Sequence, residues 1–290
     1  MFRQKLEAAM SRNDSLLCVG LDPIPPLWDQ PEQVFKLNSL IIEATRDLAC
    51  AYKPNLAIYE GMEDGWRVLE ETLQAIPPSM PRIGDAKRGD IENCGRAYAA
   101  SLFDTWGFDA ATVNPYMGLD ALDFFLAHRG KAVLVLCRTS NPSARDLQDL
   151  LVANGPAGDQ RPLYLQVAAM ARTWNKNNNV GLVVGATYPE EIREVRQLCP
   201  DMLLLIPGVG AQGGDLGAAV EAARDNEGKG FIINVSRQIM MRALDERNQL
   251  LPRSQAIEAV RQEAERIRTA INLHRSPDTR PTQRRAAAPV

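Results

Sequence analysis

The segment Ile83-Gly84-Asp85-Ala86-Lys87-Arg88-Gly89-Asp90 sets two carboxylates around one lysine, with the spacing Asp-x-Lys-x-x-Asp. In a strand over 83–87, side chains alternate between faces, so Asp85 and Lys87 point the same way. Asp90 follows a glycine, where a helix could begin. A lysine between two carboxylates stays protonated, because each anion favours the ammonium form. Such a lysine could donate a proton, and the carboxylates supply negative charge against which a substrate anion could be pressed. The same triplet could equally be a surface salt bridge on a loop, so the rest of the chain has to choose between these readings.

Other polar residues stand at the ends of apolar runs: Asp22 after Gly20-Leu21, Lys53 in Tyr52-Lys53-Pro54-Asn55, Asn114 before Pro115, and Arg138-Thr139-Ser140-Asn141-Pro142. A lysine in a core strand is expensive unless paired, and Asp22, Asp85 and Asp90 are its natural partners. Charges on successive strand ends argue for an active site. Further along, Pro207-Gly208-Val209-Gly210-Ala211-Gln212-Gly213-Gly214-Asp215 precedes a helical pattern, and Asn234-Val235-Ser236-Arg237 follows the last apolar run. Glycines let backbone N–H groups approach an oxyanion, a helix start adds a favourable dipole, and an arginine can grip a phosphate bidentately. Flexible turns are the plainer reading of the glycines; their pairing with Arg237 favours a phosphate site.

These residues need a scaffold. Apolar runs at 16–21, 51–57, 82–87, 110–114, 132–138, 180–185, 202–207 and 231–235 read as strands. Amphipathic stretches at 33–49, 59–75, 91–106, 164–175, 189–198, 216–225 and 254–273 read as helices between them. Strands alternating with helices form parallel βα units. Eight units in 290 residues favour an α/β fold of the TIM (β/α)8 barrel type, with the chemistry at the C-terminal strand ends and phosphate at units seven and eight. An open doubly wound sheet is the alternative, but no glycine-rich turn follows Leu21. The expected organisation is one barrel domain over 1–274 and a disordered tail over 275–290, which lacks apolar periodicity. An insertion from Thr139 to about Arg161 is long enough for a lid or an exchanged segment.

Composition narrows the class. The chain is 45% hydrophobic and 24% charged, with net charge −3, so nothing suggests nucleic acid as a partner. No apolar run approaches the ~20 residues needed to span a bilayer. The first thirteen residues look like an amphipathic helix and lack the apolar centre of a signal peptide. Five cysteines without a CxxC pair suggest free thiols in a reducing cytoplasm, and two peripheral histidines, His128 and His274, are too few for a histidine-based metal site.

The blocks quoted above, in this order, resemble the orotidine 5'-phosphate decarboxylase family, in its longer bacterial branch with Asp-Ala-Lys-Arg-Gly-Asp. The similarity runs from about Leu17 to Met240. It implies a TIM-barrel homodimer with two shared active sites, a nucleotide substrate, and decarboxylation of orotidine 5'-monophosphate to UMP in de novo pyrimidine synthesis. No metal or organic cofactor is expected. By this resemblance Asp22 and Lys53 hold ribose hydroxyls, and Lys53 extends the charge network. Asp85 lies beside the substrate carboxylate, Lys87 protonates C6, and Asp90 reaches into the partner's site. Ser140 contacts the pyrimidine edge; Gln212, Arg237 and backbone N–H groups near Gly210 and Gly213 bind phosphate. Two positions depart from the family. Cys94 stands where Thr is common, which weakens a ribose contact because a thiol is a poor hydrogen-bonding group. Ser236 stands where Gly is common. A sugar-phosphate decarboxylase or lyase of the same superfamily is the nearest alternative, but such relatives need a further carboxylate for magnesium where Lys53 stands. A non-catalytic UMP-binding protein is the other; it would gain little from a buried charge cluster.

Overall fold

The computed structural model describes residues 1–153, 160–210 and 213–276. Eight parallel strands alternate with helices: β1 (Leu17–Leu21), β2 (Ala51–Pro54), β3 (Ile83–Arg88), β4 (Ala110–Val113), β5 (Ala132–Arg138), β8 (Val180–Val184), β9 (Leu203–Pro207) and β10 (Phe231–Val235). A short antiparallel hairpin, β6 (Leu151–Ala153) with β7 (Gln160–Pro162), lies outside this sheet. The spatial order is β2-β1-β10-β9-β8-β5-β4-β3, and bridges Tyr52–Arg82 and Asn55–Asp85 join β2 to β3. The sheet thus curls into a TIM barrel, as the βα rhythm predicts.

Burial explains the strand sequences. Because both faces of a barrel strand are covered, Leu-Cys-Val-Gly-Leu, Val-Gly-Leu-Val-Val and Phe-Ile-Ile-Asn-Val are buried at every position. Outward residues such as Leu17, Val19, Leu204 and Ile233 pack on the helices in one large core. Inward residues Cys18, Ala51, Ile83, Ala110, Leu134, Leu205 and Ile232 form a second core inside the barrel. Helix Phe2–Asn13 closes the N-terminal end, adding Phe2 and Leu6 to that inner core. Two residues further along five of these strands the inner face becomes polar or bare. Gly20 follows Cys18, Lys53 follows Ala51, Asp85 follows Ile83, Thr112 follows Ala110 and Asn234 follows Ile232. Alternation therefore lifts a polar layer above an apolar one at the C-terminal mouth.

Some element boundaries differ from expectation. The second strand ends at Pro54, and Asn55 begins a short helix, Leu56–Glu60, so the expected 59–75 helix is split before Gly65–Ala75. The expected 91–106 helix is α-helical over Glu92–Ala100 and widens to a π-helix over Ser101–Thr105. The insertion carries a short helix, Arg145–Gln148, besides the hairpin. Arg138 secures it: the guanidinium donates to both oxygens of Glu191, at 2.6 and 3.0 Å, and pairs with Asp149 at 2.9 Å. All five cysteines are free thiols; Cys94 is exposed and the other four are buried. Most of the expected tail, 277–290, lies outside the described residues. Among the described residues no helix is long and apolar enough to cross a membrane.

Candidate active site

The polar layer converges on Asp85. Lys53, only 3% exposed, reaches from β2 and donates to Asp85 Oδ2 at 2.7 Å. Lys87 donates to Asp85 Oδ1 at 2.6 Å, and Thr112 Oγ1 donates to the same oxygen at 2.9 Å. Burial alone would raise the Asp85 pKa, but the Lys53 and Lys87 ammoniums outweigh it and hold the carboxyl well below the usual range. Burial would likewise neutralise Lys53, yet Asp85, with help from Asp22, keeps its pKa above the ordinary lysine value. The result is a largely buried, ionised pair with a second ammonium at its outer edge.

Asp85 and Lys87 point the same way, as expected, but their setting differs from the expected one in two respects. Within one chain a carboxylate lies between two lysines, whereas the sequence spacing suggested a lysine between two carboxylates. Asp90 stands beyond the strand; its Oδ1 accepts from the Ile91 N–H at 2.8 Å, and among the described residues it forms no ion pair. Nor is strand alternation what aims Lys87. Gly84 pairs with Ala111 and Arg88 with Val113, so three residues of β3 oppose the single residue Thr112. This bulge puts Lys87 in the left-handed region, at φ 51°.

Asp22 follows β1 at the mouth. It contributes to the field on Lys53 without an ion pair among the described residues, and its buried Oδ1 has no hydrogen-bond partner. Gly20 is required because a Cβ there would overlap the Ser236 side chain where β1 meets β10. Ser140, past β5, packs against Gly185 past β8, and Gly214 in turn packs on Ala186.

At the expected phosphate site the turn bends through left-handed Gly208, Gly210 and Gly213. Among the described residues, two of its N–H groups bond within the turn. Gly213 N donates to Gly210 O at 2.8 Å, and Gly210 N donates to Gly214 O at 3.3 Å. The following helix, Leu216–Ala223, is capped by Asp215 through the Ala218 N–H, so its N-terminus already holds a carboxylate. Gln212 lies outside the described residues. Arg237 is exposed, has no carboxylate partner among the described residues, and lines an open cleft with Gly210, Gln238, Met241 and Arg242. A more voluminous cavity lies at the opposite barrel end, beside helix Phe2–Asn13. It contains none of the clustered charges, so chemistry rather than volume locates the candidate site. Sequence reasoning passed over Thr112; the available signal was a lone hydroxyl in Ala110-Ala111-Thr112-Val113.

The family model described as Orotidine 5'-phosphate decarboxylase / HUMPS family matches residues 15–250. The chain belongs to this family. A relative from Roseiflexus castenholzii, named orotidine 5'-phosphate decarboxylase, is 50% identical over 246 residues, covering 82% of this chain and 88% of its own. One of the same name from Thermomicrobium roseum is 48% identical over 280 residues, covering 93% and 97%. The solved structure of Leishmania donovani OMP decarboxylase superposes with a TM-score of 0.81 at 39% identity, covering 94% of this chain and 98% of that one. The matched family segment contains Lys53, Asp85, Lys87, Thr112 and Arg237, the residues around which this mouth is built.

Proposed function

We propose that Lys53, Asp85 and Lys87 form the reacting centre for the family's activity. That activity makes this chain a carbon–carbon lyase, converting orotidine 5'-monophosphate to UMP in de novo pyrimidine synthesis. The observation that carries the residue assignment is one largely buried carboxylate gripped by two ammoniums at the ends of β2 and β3.

Cleavage of the C6–carboxylate bond releases CO2 and leaves an electron pair that the pyrimidine ring cannot fully delocalise. An ammonium beside C6 stabilises that charge and supplies the proton. Lys87 fits this role because its side chain is the more exposed of the two lysines and stands at the outer edge of the cluster. The neutral amine left after transfer regains its proton from solvent. Lys53 keeps Asp85 ionised, and Asp85 orients Lys87. At ~4 Å and an effective dielectric of ~20, one charge pair is worth ~4 kcal/mol, only part of the barrier reduction needed. Binding at the remote phosphate supplies more, realised as the site closes around the transition state.

In this reading Asp22 accepts from a ribose hydroxyl, which would satisfy its unpartnered oxygen. Ser140 meets the pyrimidine edge, while Gln212, Arg237 and the turn at Gly210 and Gly213 hold phosphate. The turn must then open its internal hydrogen bonds to offer N–H groups. Asp90 has no ion pair among the described residues, which supports a homodimer in which it enters the partner's site. The charges required come from lysines, so the scheme uses no metal or organic cofactor, and the enzyme works in the cytoplasm. The test follows the absorbance of orotidine 5'-monophosphate with purified protein in excess EDTA. Rapid loss is expected. Turnover that EDTA abolishes, or tight UMP binding without any turnover, would contradict it.

A further inference from the structure

Lys87 is held in a conformation that its own sequence does not favour. A non-glycine residue in the left-handed region is strained and persists only where its surroundings enforce it. The enforcing contact is visible on β4. Thr112, 1% exposed, stands alone opposite the β3 bulge. Its Oγ1 accepts the Lys87 backbone N–H at 3.0 Å and donates its own hydrogen to Asp85 Oδ1 at 2.9 Å. One hydroxyl therefore satisfies the N–H at the bulge and orients the carboxylate oxygen that also holds the Lys87 ammonium. Backbone and side chain of Lys87 are tied to the same small unit.

We propose that Thr112 is a positioning residue for the reaction: its hydroxyl stabilises the bulge that aims the Lys87 ammonium and fixes the Asp85 oxygen against it. This rests on the assignment of Lys87 as proton donor. Valine keeps the shape of threonine but neither accepts nor donates. In Thr112→Val the part-buried Lys87 N–H would lose that acceptor, the bulge would lose its reason to hold φ positive, and the ammonium would shift. Misplacement of a reacting group by about 1 Å lowers turnover by about 100-fold.

The experiment measures kcat, KM, UMP affinity and thermal midpoint for Thr112→Val, Thr112→Ser and Lys87→Ala. The expected result is a kcat about 100-fold lower in Thr112→Val, with KM and UMP affinity within about twofold of the parent, and recovery to within a few-fold in Thr112→Ser. A purely structural role would lower UMP affinity and thermal midpoint together and would not separate kcat from KM. Unchanged kcat in Thr112→Val beside an inactive Lys87→Ala overturns the role of Thr112 alone. Parental turnover in Lys87→Ala instead overturns the donor assignment beneath it. If Thr112→Val does not fold, Thr112→Ala takes its place; failure of both to fold makes Thr112 structural and overturns the proposal.

Discussion

Asp85 carries the charge balance of the mouth. Its pKa is depressed in the folded chain, so by linkage its contribution to stability is present above the unfolded value of about 3.9 and is lost as pH falls below it. Asp85→Asn removes the nearest anion from Lys53 and is expected to destabilise the fold by about 3–5 kcal/mol near neutrality, as breaking a buried pair does. Urea unfolding at fixed protein concentration should show that gap constant from pH 7 to 5 and narrowing toward pH 3. A gap that widens toward acid would mean that Asp85 is not the depressed carboxyl. Arg237 offers a second test at this scale. Arg237→Ala should raise KM for the nucleotide and cost a few kcal/mol of transition-state binding, while barely affecting a substrate that lacks phosphate. Equal losses on both substrates would move Arg237 out of the phosphate site.

At the scale of elements, the site depends on how β5 hands the chain to its insertion. Arg138 is buried between Glu191, on helix Pro189–Leu198, and Asp149, beyond Arg145–Gln148. Gln148 Oε1 accepts the Thr139 N–H at 2.9 Å, and its Nε2 donates to Thr139 Oγ1 at 2.8 Å. These bonds fix the segment leading into Ser140. Arg138→Ala leaves Glu191 without its bidentate partner and should lower unfolding free energy by about 3 kcal/mol. It should also raise KM for orotidine 5'-monophosphate as the Ser140 segment loosens. Equilibrium denaturation and steady-state kinetics check both; a change under about 1 kcal/mol with unaltered KM would show that the insertion is held by other contacts.

For the whole molecule the question is where Asp90 acts. It lies four residues before Cys94 and directly before exposed Ile91, in a segment that also exposes Tyr98. If it serves the partner, Asp90→Ala and Lys87→Ala homodimers each lack a complete site, but their heterodimer has one intact site and one doubly deficient site. Random exchange of equal amounts makes about half the dimers mixed, so about one quarter of parental activity should return. Exchange under mild denaturant, with heterodimers verified by mass spectrometry, checks this. Activity that stays at parental-mutant levels would assign Asp90 to its own chain.

Local patterns in the chain determined a good deal. Strand alternation is a two-residue rule, so the step from Cys18 to Gly20, from Ala51 to Lys53 and from Ile83 to Asp85 was legible, and eight βα units made the barrel the natural closure. The grouping of Lys53 with Asp85 could be expected on desolvation grounds before any coordinate was known. Pairings between strands are not local. Lys53 meets Asp85 across 32 positions and Thr112 meets Asp85 across 27, distances that only the closed sheet brings within hydrogen-bond reach. The same holds for conformation: a regular strand and a bulge have the same sequence signature at Gly84-Asp85-Ala86-Lys87, and the register against β4 chose the bulge. Glycine permits an open cradle at this turn, and only the folded chain shows the Gly210 and Gly213 N–H groups bonded to nearby carbonyls, with Gly214 close against Ala186. Residue types thus announced which charges had to be reconciled, and the closed barrel decided which atoms reconcile them.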